Sequence, residues 1–333
     1  MSIKIIAEAA QGFEGKYDQA MLLLKAGAGA KANAIKFQMV FADELCTKEY
    51  TYSKLFKSLE MTNTQWRSLL QASIKLGIEL QLDIFGKKSL SLCSKLGIKT
   101  VKLHPTDITN THLLKLVKSS KIDNIILGVG GATLKEINLA LEILKKKNVI
   151  IIFGFQNYPT PTHTNQINRL TQIKEKLIDK NKNLTLGFAD HEETDSVIRY
   201  MIPALAIGAG ATIIEKHITL GKSMEMEDSE SALNPDEFKL FVKLVNDSSK
   251  AIAGFKDQDD FGMSKEELNY RNTIRRHVLA SKNLSKGKII EEKDIVLKRS
   301  SELKPIKDIN FVVGKTLKKN IKKDHPFKKT DLL

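Results

Sequence analysis

Short apolar runs rich in Ile, Val and Phe alternate along the chain with stretches whose apolar positions recur at helical spacing. The runs IKIIAEA (3–9), AIKFQMV (34–40), ELQLDIF (79–85), TVKLHP (100–105), NIILGVG (124–130), VIIIFGF (149–155), LTLGFAD (184–190) and 212–219 read as buried strands. Helical stretches follow them, beginning with YDQAMLLLKAGAGA (17–30). Thr62 with Gln65 and Thr133 with Glu136 have capping-box spacing, and Asn234-Pro235 supplies a cap and first-turn pair for a last helix. Alternation of this kind demands a parallel sheet, because a parallel neighbour is reached only by a crossover. Eight units within about 250 residues predict an α/β fold, a (β/α)8 TIM barrel over residues 1–253. An open doubly wound sheet is the alternative, but GVGGAT carries Thr133 where the dinucleotide fingerprint wants its last glycine.

The periodicity breaks at residues 254–275, a polar linker with a short helix expected from Ser264. Residues 276–333 then read as short strand, turn, short strand, with Gly287 and Gly314 at turns: a small, mostly β domain. So short a module buries little on its own, so Val278, Leu279, Ile289, Ile290 and Val296 are expected to be covered by a partner surface.

Composition changes this picture only slightly. The formal charge of +14 suggests nucleic acid, yet residues 276–333 alone hold 16 Lys and Arg against 7 Asp and Glu. Those lysines sit at turns without aromatic interleaving, so no nucleic-acid partner is expected. A lysine-rich surface, or attraction of phosphorylated or carboxylated metabolites, accounts for the charge. No apolar run is long enough to span a membrane, and the start lacks a signal peptide's pattern. Two cysteines, Cys46 and Cys93, imply no disulfide framework and suit a reducing cytoplasm.

Candidate chemistry centres on 184–220. His191 and His217 fall at the carboxyl ends of successive strands, where barrels and open α/β sheets keep their sites. They could share a divalent cation, with Asp190 and Glu215 as neighbouring carboxylates. Hydrogen-bonded structural histidines are the other reading.

IIAEAA, AIKFQ, NYPTP, GFADH, EKHITL and ALNPDEF, in that order and followed by RRHVLASKNLSKGKII, resemble the sialic acid (N-acetylneuraminate) synthase family over nearly the whole chain. Residues 276–333 resemble the antifreeze-like (SAF) domain those synthases carry. The resemblance implies a carbon–carbon bond-forming transferase. It would condense phosphoenolpyruvate with an N-acetylated amino-sugar aldehyde, giving a nine-carbon 2-keto sugar acid and phosphate. It implies a divalent metal (Mn2+, or Mg2+ or Co2+) on His191 and His217, and catalytic roles for Glu8 near the sugar, Lys36 at the enolpyruvate ligand and Tyr158. It places Gln156, Asp228, Gly128 and Lys102 at the substrates. It also implies a homodimer with exchanged C-terminal domains, Arg299 of one subunit entering the other's site.

The chain departs from the family where anions bind. Hydroxyl residues usual after strands three to five give way to Asp83-Ile84-Phe85, Lys102-Leu103-His104-Pro105 and Gly128-Val129-Gly130. Gln156 replaces an asparagine, and MEDSE (226–230) a GPDH-like segment. Gly128 can still offer backbone N–H groups and Thr106 a hydroxyl. Asp83 should repel a phosphate unless Lys102 or the metal pairs it. Two further readings therefore stand beside the synthase: a related barrel aldolase or condensing enzyme with another donor, and a non-catalytic carbohydrate-binding relative.

Overall fold

The apolar runs become eight parallel strands: β1 (Lys4–Ala10), β2 (Ala34–Met39), β3 (Glu79–Ile84), β4 (Thr100–Leu103), β5 (Asn124–Gly128), β6 (Asn148–Phe153), β7 (Leu184–Asp190) and β8 (Ile213–His217). They close in sequence order into a barrel, β8 pairing with β1 from Ile213↔Lys4 to His217↔Glu8. The computed structural model describes residues 3–154, 157–253, 262–302 and 304–333. The chain divides into two units, Met1–Ala253 and Gly254–Leu333.

Local chemistry sets the crossovers. Thr62 and Gln65 form the capping box of helix Asn63–Leu76, which stops at Gly77 in the left-handed region (φ 69°) that glycine adopts without strain. Thr133 with Glu136 starts helix Leu134–Leu144 in the same way, while at helix Pro235–Ile252 Glu237 Oε2 accepts the Asn234 N–H at 2.9 Å and the Asn234 side chain accepts the Lys222 N–H instead. Strand β4 ends before Pro105, which cannot continue a ladder and opens a single 3-10 turn. The expected helix after His191 forms only over Ile202–Gly208. Polar side chains claim the chain before it: Asp190 Oδ1 accepts the Glu192 N–H at 2.9 Å, and Glu192 takes Asn165 Nδ2 at 2.5 Å.

The barrel interior is layered. Ile6, Ala34, Ile126, Ile152, Ala189 and Ile213 fill its middle as an apolar plug. The side chains two residues further along several strands are charged instead, so alternation carries one ionic layer onto the plug's upper face. Outside the strands, Phe13, Phe37 and Trp66 meet edge to face in the larger core beneath the helices.

In the second unit, helix Lys265–Ile274 begins at Ser264, whose hydroxyl accepts the Glu267 N–H at 3.0 Å. Strands β9 (His277–Ala280) and β10 (Ile295–Lys298) pair antiparallel, and Gly287 and Gly314 take positive φ at turns. The expectation that its apolar positions await a partner needs correcting. Val278, Leu279 and Ile290 are buried within the unit, in or beside a core with Leu284, Val312, Leu317 and Phe327. Paired backbone bridges such as Leu284↔Ile321 and Leu317↔Leu332 fold distant segments over one centre. Ile289 is 60% exposed and Val296 partly buried. No helix among the described residues is long and apolar enough to cross a membrane.

Candidate functional site

Strand register decides which side chains meet at the barrel's carboxyl end. Glu8 lies opposite Lys36 on β2 and His217 on β8, and Asp83 lies opposite Lys102 on β4. A bulge between Glu8 and Ala10 ends the β1 ladder, with Ala10 at φ 45°. Glu8 Oε1 accepts the Ala10 N–H at 2.8 Å, which fixes the carboxylate at the bulge.

The result is a buried ionic cluster. Lys36, with no exposed surface, bonds Glu8 Oε2, reaches Asp83 Oδ1 at 2.8 Å and faces Glu215 Oε2 at 3.6 Å. Lys102 reaches Glu215 Oε1 at 2.7 Å, with Glu8 and Asp83 at 3.8 and 3.9 Å. Three carboxylates against two ammonium groups leave one negative charge in excess. Burial pulls the Lys36 pKa down, only partly offset by Asp83 and Glu215. Burial acts the same way on Lys102, but Glu215 and Asp83 overcome it and raise its pKa. Burial disfavours the charge on Glu215 too; Lys102 and Lys36 nonetheless hold it well below the usual carboxylate range.

Asp83 is thus paired, chiefly with Lys36 rather than with Lys102. Glu215 belongs to this cluster, while Asp190 does not stand beside the histidines as a carboxylate neighbour. Successive strand residues face opposite ways. Asp190 therefore turns outward to Lys216 Nζ at 3.1 Å, while His191 turns inward.

The two imidazoles stand with ring centroids 5.4 Å apart, and Tyr158 packs on both at 5.1 and 5.2 Å. The Tyr158 hydroxyl bonds His217 Nε2. Glu192 holds that loop in place, taking Thr162 and Asn165 side chains while Thr160 N–H donates to the His191 carbonyl at 2.8 Å. Although the Tyr158 ring is partly open to solvent, desolvation around its hydroxyl and the neighbouring Asp228 and Glu215 push its pKa above the usual value, so the phenol stays protonated. Burial, with His191 adding to it, holds His217 well below its ordinary value, so the ring is neutral. A neutral imidazole at His217 and a second imidazole nitrogen donor at His191 are the ligand types a borderline divalent ion takes, and on that ground the pair fits one. Among the described residues no group of three or more His, Cys, Asp or Glu is arranged to hold a metal. An ion here would draw its other ligands from substrate and water.

A cavity of about 190 Å³ lies over the cluster, lined by Glu8, Lys102, Gly128, Tyr158, His191, Glu215, His217 and Asp228. Gly128 is occupied on its Cα side, since a Cβ would come within 2.5 Å of Pro105 Cδ. Asp228 Oδ2 accepts the Gln11 N–H at 3.1 Å, and burial pushes its pKa up to about 6. Lys36 lies beneath the cavity rather than on its wall. Arg299 is an exposed residue of the second unit, just past β10. Gln156 lies outside the described residues. Three further wall residues, Gln11, Gln38 and His104, carried no assigned role in the sequence reading.

Residues 23–257 match the NeuB family and residues 275–333 the SAF domain. An N,N'-diacetyllegionaminic acid synthase of Legionella pneumophila is 27% identical over 96% of this chain and 92% of its own. A pseudaminic acid synthase of Campylobacter jejuni is 27% identical over 98% and 96%. The crystal structure of an N-acetylneuraminic acid (sialic acid) synthetase from Leptospira borgpetersenii, in complex with citrate, superposes with a TM-score of 0.73. It is 28% identical and covers 83% of this chain and 93% of its own. The chain belongs to the NeuB family and carries a SAF domain.

Proposed function

We propose that this NeuB-family protein is a nonulosonate synthase, joining phosphoenolpyruvate to an N-acylated amino-sugar aldehyde. The methylene carbon of the donor bonds the aldehyde carbon, water adds at the enol carbon, and phosphate leaves. The observation carrying this reading is the convergence of Lys102, Glu8, Glu215, Tyr158, Asp228 and the histidine pair on one cavity at the barrel's carboxyl end. Relatives of nearly equal length named as legionaminic and pseudaminic acid synthases support the reaction class.

Each residue then has a task. Lys102 lines the cavity and keeps its proton, so it is the cation that meets the donor's phosphate or carboxylate. Lys36 acts from beneath, balancing Glu8, Asp83 and Glu215 so that three acids can share the floor. Tyr158, held protonated, offers its hydroxyl where the aldehyde oxygen gains charge. Asp228 and Glu8 accept hydroxyls of the acceptor. A divalent ion held by His191 and His217 would polarise the aldehyde as a Lewis acid. We assign Arg299 to the acceptor site of a second protomer in a homodimer.

The test incubates pure protein with Mn2+, phosphoenolpyruvate and a panel of N-acylated hexosamines, measuring phosphate and 2-keto acid together. Matched release of both supports the synthase. Keto acid formed only when pyruvate replaces phosphoenolpyruvate in the same incubation would point to the aldolase alternative. His191→Ala and His217→Ala should abolish turnover with the fold retained, and full activity after exhaustive chelation would remove the metal from the scheme.

A further inference from the structure

The inner cavity is small for two substrates. Its 190 Å³ falls below the roughly 300–1,000 Å³ of ordinary small-molecule sites. A second cavity of about 570 Å³ adjoins it, and Gln11, Gln38 and His104 line both. The two are chambers of one cleft, with that trio as the sill between them. Gln11 Nε2 donates to Gln38 Oε1 at 2.9 Å. His104 Nδ1 accepts the Thr106 backbone N–H at 3.5 Å and lies 3.0 Å from Thr106 Oγ1. With Nδ1 accepting, the neutral ring carries its proton on Nε2. Burial, with Lys102 adding to it, holds His104 down to about 4, so it remains an uncharged donor at neutral pH.

The outer chamber has a different chemistry. Tyr50, Phe56 and Phe85 line it, Tyr50 and Phe56 stacked at 15° with centroids 6.1 Å apart. Among the described residues that line it, the charged ones are Glu44 and Asp107, with no lysine or arginine. A phosphate or carboxylate is repelled there, whereas sugar C–H faces and acyl methyl groups pack well on flat rings.

We propose that this outer chamber is the specificity-determining subsite for the acceptor. The sugar's end remote from the aldehyde crosses the sill, and its acyl substituent rests against Tyr50 and Phe56. The Gln11–Gln38 pair and His104 bond the hydroxyls that pass between them. The donor stays in the inner chamber over Lys102. This rests on the synthase reading above.

Cys46 makes the chamber readable without substitution. Its partly buried thiol is in the wall, while Cys93, the other thiol, is buried and pushed up to about 12. The intact protein is treated with iodoacetamide, and alkylation of each cysteine is followed by mass spectrometry. An acceptor at ten times its Kd should slow Cys46 modification roughly tenfold, as occupancy dictates. Phosphoenolpyruvate alone should leave the rate unchanged. In parallel, Tyr50→Ala and Phe56→Ala should raise the acceptor KM roughly threefold to tenfold, most for the acceptor with the larger acyl group, with donor KM unmoved. Protection by the donor alone overturns the assignment. So does an acceptor that is turned over without protecting Cys46, or unchanged acceptor preference in both variants. Absence of 2-keto acid from every acceptor overturns the synthase reading and this proposal with it; turnover without protection overturns the proposal alone.

Discussion

Replacing Asp83 by Asn tests the charge balance of the site most directly. Asp83 sits where the family resemblance leads to the expectation of a hydroxyl, and it supplies the cluster's excess negative charge. Its Oδ2 is 3.9 Å from Lys102 Nζ, so an anion seated on Lys102 comes within about 6 Å of it. At an effective dielectric near 20, two unit charges at about 6 Å repel by roughly 3 kcal/mol, and salt and relaxation reduce that. Removing the charge should therefore strengthen donor binding by about 1–3 kcal/mol, roughly 5-fold to 150-fold. Asn keeps an oxygen for Lys36, which also retains Glu8 and Glu215, so no cation is left unpaired. The melting temperature should accordingly shift by no more than about 5 °C. The assay is calorimetric titration of phosphoenolpyruvate into wild type and Asp83→Asn without sugar, followed by donor KM from phosphate release. Asp83→Thr, which restores a hydroxyl, should tighten donor binding likewise. Donor affinity unchanged or weaker in both folded variants would refute the argument. Loss of activity with tighter binding would instead make Asp83 part of the chemistry, favouring a donor other than phosphoenolpyruvate.

Lys36→Met removes the cation from among three buried carboxylates; it should cost about 3–5 kcal/mol of stability and lower kcat/KM for the donor roughly tenfold to a thousandfold. Denaturant titration and donor kinetics read the two effects separately, and a variant of wild-type stability would contradict the buried cluster. Asp228 is protonated below about 6 and ionised above it, so if the ionised form binds the acceptor, kcat/KM for the acceptor should rise with pH through that value. The rise should vanish in Asp228→Asn, and a profile unchanged by the substitution would assign the limb elsewhere. For the assigned dimer, mixing inactive His217→Ala and Arg299→Ala proteins under subunit exchange should restore activity toward about a quarter of wild type, since random pairing makes half the dimers mixed with one intact site each. A monomer in sedimentation, or exchange without recovery, would refute it.

Much of the barrel was legible because its signals are local. Apolar runs mark strands buried on both faces, and caps such as Thr133–Glu136 need only neighbours in sequence. The small unit's core was missed because it joins residues as distant as Val278 and Phe327, which no period connects. Within the site, the parity of strands separates what could have been read from what could not. His191 shares a face with Ala189 and His217 with Glu215, so Asp190 had to point away from the histidine beside it. Gln38 and His104 follow Lys36 and Lys102 by two residues, and the same rule places them on the cavity wall. Gln11 escapes the rule, because the bulge between Glu8 and Ala10 breaks the alternation just before it. Which carboxylate meets which lysine escapes it too, since register between strands pairs Asp83 with Lys102 while side-chain reach joins it to Lys36. Two cations, Lys36 and Lys102, stand in the site all the same. Asp83 and a neutral His104 set the charge around Lys36 and Lys102, and the Asp83 titration measures how far that arrangement governs the donor.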